Sequence, residues 1–192
     1  MNLYLRLLLI WLRNLRRDRL HYLHAAESAF RVLPHDLDAL GHMNNGRYLQ
    51  IMDVARTEWM LLTGVAGAIR ANRWAPLLGG GVIRYRHSLK LMQRYRVRTR
   101  LLGWDDRWFH LEHVFIDARE RYVAVGVTRA ALHSRTGWVL ADDVAETVYP
   151  GARSPAVPAL IRDWLSLEES MYRFGTGQQP VDSGSARFRR AC

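Results

Sequence analysis

Two carboxylates, an imidazole and two amides fall close together in the run Asp36-Leu37-Asp38-Ala39-Leu40-Gly41-His42-Met43-Asn44-Asn45-Gly46-Arg47-Tyr48. Such a set could open an acyl bond. A carboxylate attacks a carbonyl directly or activates a water to do so. Backbone N–H groups at a helix N-terminus, with the positive end of the dipole behind them, hold the carbonyl oxygen as it becomes an oxyanion. The same residues also describe an Asp/Asn-rich turn with a helix cap. Composition alone leaves both readings open.

The flanking pattern says what must position this run. Before it, Ala29-Phe30-Arg31-Val32-Leu33 reads as a short strand. After it, Tyr48, Ile51, Met52, Ala55, Trp59 and Leu62 recur at three- and four-residue spacing, the apolar face of a helix from about Asn45 to Leu62. Asn44 or Asn45 caps that helix and Gly64 stops it. Its apolar face reads mainly as core, with Trp59 on an acyl pocket as the sharper alternative. Asp53, two turns in, reads as an ordinary helix carboxylate.

Further on, Gly79-Gly80-Gly81 is no phosphate cradle, because no Gly-Lys-Ser/Thr follows. The glycines are expected to open a strand and to mark a bulge or a close backbone approach. From Val82 the period is two. Ile83, Tyr85, His87, Leu89 and Leu91 alternate with polar residues, and Tyr95, Val97, Thr99 and Leu101 alternate with Arg94, Arg96, Arg98 and Arg100. The arginine ladder reads as a solvated sheet face, or in part as a contact for coenzyme A phosphates or a carrier protein. A turn at Gly103–Asp106, strands near 107–117 and 121–133, and an arm at Gly137–Leu140 complete a meander. Consecutive strands with short turns make an antiparallel sheet. The fold class expected is α+β: an antiparallel sheet wrapped around one long central helix. An N-terminal amphipathic helix and a C-terminal helix (159–174) are added to it. His87, His110, His113 and His133 lack metal-ligand spacing, so no metal or other cofactor is expected.

Composition narrows the classes. The chain has 192 residues, 49% of them apolar, and a net charge of +10. That is one globular domain's worth of chain. Lys90 is the only lysine, and the arginines spread along the whole chain. Without a helix-turn-helix, zinc-finger or RNP-type motif, a nucleic-acid partner is not expected. Anionic small molecules, an acidic carrier protein or an anionic membrane surface fit better. The lone cysteine, Cys192, rules out a disulfide framework.

Residues 3–12 are strongly apolar but too few to span a bilayer, at ~1.5 Å per residue against ~30 Å. Charges follow the run instead of preceding it, unlike a signal peptide. On a helical wheel, Asn2, Arg6, Arg13 and Arg17 form one stripe. A basic amphipathic helix in a membrane interface follows, with residues 1–20 in peripheral contact and Arg13, Arg16, Arg17 and Arg19 on lipid heads. Packing on the domain itself or on a partner subunit is the alternative. The organisation expected is a basic amphipathic segment (1–24), the main domain (25–150), a linker with the C-terminal helix (151–174) and a disordered tail (175–192).

The pattern D-x-D-x-x-G-H-x-N-N-x-x-Y resembles the signature of hotdog-fold acyl thioesterases of the 4-hydroxybenzoyl-CoA thioesterase type. Arg31-Val-Leu-Pro-His-Asp36-Leu-Asp38, Arg84-Tyr-Arg-His-Ser-Leu89 and Val97-Arg-Thr-Arg-Leu-Leu-Gly-Trp-Asp-Asp-Arg107 are similar to the thioesterase superfamily member six branch. The resemblance covers about residues 28–150. It implies a hotdog fold and hydrolysis of acyl-CoA or acyl-carrier-protein, with no cofactor, by a homodimer or tetramer. It places the catalytic carboxylate at Asp38, as nucleophile or general base. The Asn45 backbone N–H polarises the carbonyl, and His42 and Asn44 shape the loop and orient water or substrate. Asp36 braces the loop, and Gly41, Tyr48 and Trp59 contact substrate. A cytoplasmic protein, peripheral at the inner membrane face, is the location that fits. A non-catalytic acyl-thioester binder or membrane-associated scaffold on the same fold is the alternative.

Overall fold

The computed structural model describes residues 3–14 and 17–176. The chain divides into two compact units, the first ending at Ala156 and the second beginning at Val157. The first unit runs α1 (Leu3–Asn14), β1 (Ala26–Arg31), a 3-10 turn (Pro34–Asp36), α2 (Asn45–Leu62), α3 (Val65–Asn72) and β2 (Ala75–Tyr85). It continues β3 (Arg94–Trp104), β4 (Phe109–Asp117), β5 (Tyr122–Ser134), β6 (Gly137–Val139) and α4 (Ala141–Val148). The second unit holds α5 (Ala159–Gly175). The tail expected from residue 175 lies, after Thr176, outside the described residues.

The sheet order is β1-β3-β4-β5-β2, every pair antiparallel, with β6 on β5. Alternation decides its faces. Tyr95, Val97, Thr99 and Leu101 are buried and the arginines between them point to the other face, where Arg96 pairs with Glu27 and Glu120 and Arg100 with Glu112. The buried face packs α2 through Tyr48, Ile51, Met52 and Ala55. The approach is close: a Cβ on Gly126 would sit 2.6 Å from Met52 Cε. This is the hotdog arrangement, a curled antiparallel sheet around one long helix.

Three local expectations need correction. The glycine triplet does not open a strand, because β2 starts at Ala75. It lies inside β2, where the register shifts between Leu78 and Gly80. There a Cβ on Gly79 would collide with the Trp108 ring at 2.3 Å. The bulge and the close approach are therefore both present. Second, the period-two pattern does not continue as a strand past Tyr85. Leu89 is buried because its side chain packs into the core cluster with Val32, Met43 and Tyr48, while its carbonyl accepts the Met43 N–H at the entrance to α2; it belongs to no strand. Third, the short helices α3 and α4 are absent from the expected elements, although Ala141, Val144 and Ala145 of α4 form one buried face. Trp104 Nε1 donates to Asp142 at 2.7 Å and Ala141 N to Asp106 O at 2.9 Å, which fastens α4 to the end of β3.

For α1 the structure decides for the alternative, packing on the domain itself, and corrects the placing of Arg13 and Arg17 on lipid heads. Its basic stripe faces the domain. Arg6 is buried on Asp36, while Arg13, Asn14 and Arg17 donate to the fully buried carboxylate of Glu58 on α2. Asn2 and Arg16 lie outside the described residues. The apolar arc points outward instead, with Tyr4 76%, Leu9 51% and Trp11 50% exposed. Desolvated carboxylates on α2 and in the loop dictate this orientation, since a buried charge needs a partner. No helix of the described residues is long and apolar enough to cross a membrane.

Candidate active site

The Asp36–Tyr48 run is folded into one hydrogen-bonded unit. The chain leaves β1 through Val32, whose N–H donates to Gln93 O and whose carbonyl accepts from Met92. It then makes the 3-10 turn Pro34–Asp36. Bridges Leu37–Met43 and His42–Lys90 close the loop laterally. Gly41 takes φ +75°, a left-handed conformation that suits glycine. No atom lies within 4 Å of where its Cβ would be, so backbone conformation, not crowding within this chain, explains that glycine.

Asp38 is half-buried at the centre of the loop. Its N–H donates to His42 O at 2.8 Å. Its Oδ1 accepts from the Leu40 and His42 amides at 2.9 and 3.1 Å. Oδ2 makes no hydrogen bond among the described residues. One carboxylate oxygen thus fixes the side chain and the other keeps its lone pairs. His42 contributes through its backbone, bracing Asp38 at both its N–H and its C=O.

Asn44 is the N-cap of α2, its side chain accepting from Gly46 N at 2.9 Å while its own N–H donates to Asp36 O at 2.8 Å. Asn45 is the first residue of α2, where a helix leaves the amide without an intrahelical acceptor. Its side is exposed, and its carbonyl accepts the Tyr85 hydroxyl at 3.1 Å. Asp38 and the α2 N-terminus are therefore tied together through one short loop. That is the pairing of carboxylate and dipole end that acyl hydrolysis uses.

Asp36 braces this loop, as expected. It is 1% exposed, bonded by Arg6 and by Leu33 N at 2.9 Å, with His35 and Arg47 nearby. Tyr48 is not among the residues lining the apolar cavity beside α2. It is buried between Tyr85 and Phe115, at centroid distances of 5.1 and 5.0 Å, and burial pushes its phenol up to about 12.

An apolar cavity of about 330 Å³ opens beside the C-terminal half of α2. Trp59 and Met60 line it from α2, Ile69 from α3, Leu77 from β2 and Val144 from α4, with Trp104 across the sheet. Trp59 is thus both core and cavity wall. The polar lining is chiefly Asp53, Arg56 and Thr57, with Arg56 donating to Asp53 at 2.6 Å. No residue of the Asp36–Tyr48 loop reaches it. Asp53 lies eight residues beyond Asn45, or ~12 Å along the helix at ~1.5 Å per residue, and Met60 ~22 Å. Sequence reasoning missed the roles of Arg6 and Glu58. Buried ion pairs between elements 30 and 45 residues apart leave no periodic trace.

Among proteins of known sequence, Protein THEM6 of Xenopus laevis is 36% identical over 142 residues. That stretch is 72% of this chain and 66% of the relative, a little under two thirds of its length. Among solved structures, the probable thioesterase YbaW of Escherichia coli superposes with a TM-score of 0.60 at 18% identity, covering 65% of this chain and 96% of that one. A DHNA-CoA thioesterase of Staphylococcus aureus gives a TM-score of 0.57 at 12% identity, covering 82% and 97%. Likeness at such identities concerns the fold. The model of the thioesterase-like superfamily matches residues 32–165, which contain the whole Asp38 loop and α2. On that match, over far more than half its length, the chain belongs to the thioesterase-like superfamily.

Proposed function

We propose that the chain hydrolyses acyl thioesters, with coenzyme A as the thiol carrier, using Asp38 and the N-terminus of α2. The observation that carries this is the Asp38 carboxylate: Oδ1 is locked by two loop amides, Oδ2 makes no hydrogen bond among the described residues, and the same short loop leads into the start of α2. Asp38 acts either as nucleophile on the thioester carbonyl or as general base on water. The carbonyl oxygen gathers charge against the Asn45 N–H. Water supplies the hydroxyl that ends on the acid, and the proton ends on the leaving thiolate. His42 and Asn44 hold the loop that aims the carboxylate. A relative named L-carnitine dehydrogenase/betainyl-CoA thioesterase, 32% identical over 90 residues, favours coenzyme A over a carrier protein.

The acyl group occupies the cavity lined by Trp59. At the roughly 30 Å³ that a water-sized group fills, its volume of about 330 Å³ takes about eleven heavy atoms. Its floor lies ~12–22 Å along α2 from the thioester site, which suits a medium or long chain. The active form is a homodimer or a tetramer. In support, β2 ends the sheet order, runs eleven residues and is exposed on both faces, a surface open to pairing with a second copy. The outward apolar face of α1 favours peripheral membrane contact through Tyr4, Leu9 and Trp11 in place of the arginines. The same face supports the second reading, a membrane-associated acyl-thioester binder without turnover.

Thiol release from a panel of acyl-CoAs, short to long and aromatic, tests the proposal. Asp38→Asn is expected to lower kcat by about three orders of magnitude while retaining acyl-CoA binding. Full activity in Asp38→Asn refutes the assignment. Binding without turnover in the wild type favours the second reading.

A further inference from the structure

We infer that Arg6 of α1 is a positioning residue for the Asp38 loop, which makes α1 part of the active site although it lies outside the matched family region, residues 32–165. The inference rests on the reading of Asp38 as the reacting carboxylate.

Asp36 is the hub of the loop. Its backbone N–H donates to Leu33 O at 2.9 Å, and its carbonyl accepts the Asn44 N–H at 2.8 Å. One carboxylate oxygen, Oδ2, takes both the Leu33 N–H and the Arg6 guanidinium. The entrance of the loop, the cap of α2 and the helix α1 therefore meet on one residue. Asp38 follows two positions later and is braced by the amides of Leu40 and His42.

Arg6 is the closest basic side chain to Asp36. Arg47 Nε stands at 3.8 Å and His35 Nε2 at 3.5 Å, both on Oδ1 and both about a third exposed, whereas Arg6 is 7% exposed. A carboxylate that is 1% exposed depends on its partners, and without Arg6 it keeps only the Leu33 N–H on Oδ2 and the more distant Arg47 and His35 on Oδ1. Without Arg6 the Asp36 side chain has to reach toward solvent or Arg47. Its backbone bond to Asn44, and with it the relation of Asp38 to the α2 N-terminus, then shifts. Arg13, near the C-terminal end of α1, and Arg17 just beyond it bind Glu58, away from the loop. They anchor α1 without touching the site, which separates docking from positioning.

The test compares Arg6→Met, Arg6→Lys and Arg13→Met in the full chain, by amide exchange and by acyl-CoA hydrolysis. In Arg6→Met the Leu40, His42 and Asn44 amides should exchange at least about tenfold faster, with Val54 and Ala55 in mid-α2 unchanged. With a displaced carboxylate, kcat should fall about a hundredfold while KM stays within about threefold. Arg6→Lys should recover most of both effects. Arg13→Met should leave loop exchange and kcat as in the wild type. Unchanged loop exchange in Arg6→Met overturns the inference, and so does an equal loss in Arg13→Met. If the wild type turns over no acyl-CoA, the hydrolysis proposal fails, and the exchange comparison still decides whether Arg6 positions the loop.

Discussion

His113 turns the stability of the sheet into a function of pH. It lies on β4 with no exposed surface, its Nδ1 3.0 Å from Thr99 Oγ1 on β3 and its Nε2 3.1 Å from Thr128 Oγ1 on β5. A neutral imidazole has one donor and one acceptor, so one hydroxyl donates to it and the other accepts. Burial pushes its pKa from the ordinary 6.5 down to about 3, and the nearby Arg56 guanidinium acts in the same direction. Between those values the unfolded chain holds a proton that the folded chain excludes. The stability is therefore complete above about pH 6.5 and falls as the pH drops toward about 3. At about pH 5 the unfolded imidazole lies 1.5 units below its pKa, which is worth about 2 kcal/mol at ~1.4 kcal/mol per unit. For a chain of this size that shift moves Tm by about 4–8 °C. The perturbation is His113→Leu. It leaves two buried hydroxyls without a partner, which costs about 1–3 kcal/mol at every pH, but it removes the titration. Thermal unfolding of both proteins at about pH 7.5 and about pH 5 isolates the effect, since all other groups titrate alike. The wild type should lose about 2 kcal/mol of its advantage over the variant at the lower pH. An equal gap at both pH values refutes a neutral, buried imidazole.

Two further outcomes follow from the same structure. Glu58→Gln removes the charge that receives Arg13, Asn14 and Arg17. Because the two arginines are partly exposed and can turn to water, the loss should be about 2 kcal/mol, short of the cost of breaking a fully buried pair. Trypsin should then cut after Arg13 and Arg17 faster than in the wild type, and an unaltered rate contradicts the docking of α1. Ala145→Phe, from the α4 wall of the cavity, should remove room for about three methylenes at ~0.8 kcal/mol each, lowering kcat/KM for the longest accepted acyl-CoA roughly fiftyfold with short chains spared. A uniform loss across chain lengths places the acyl group elsewhere.

What the sequence determined was local and periodic. Apolar spacing located α2 to the residue, from Asn45 to Leu62, because one stripe must face the sheet and the Asn44 cap is a neighbour in sequence. Period-two alternation located β3, the turn signals after it placed β4 and β5, and the D-x-D loop was legible as a carboxylate beside a helix start. The structure decided what depends on distant partners. The alternation through Leu89 was a strand on paper, yet Leu89 lies outside any strand and is buried by core packing, its carbonyl bonded to the Met43 N–H. The stripe of Arg6, Arg13 and Arg17 has the pattern of a lipid-facing helix. It turned inward because Asp36 and Glu58 are desolvated elsewhere in the chain and have to be neutralised. A hydrophobic-moment argument treats a charged face as the wet face. Two buried carboxylates reverse that sign, and only the tertiary structure reveals where they lie.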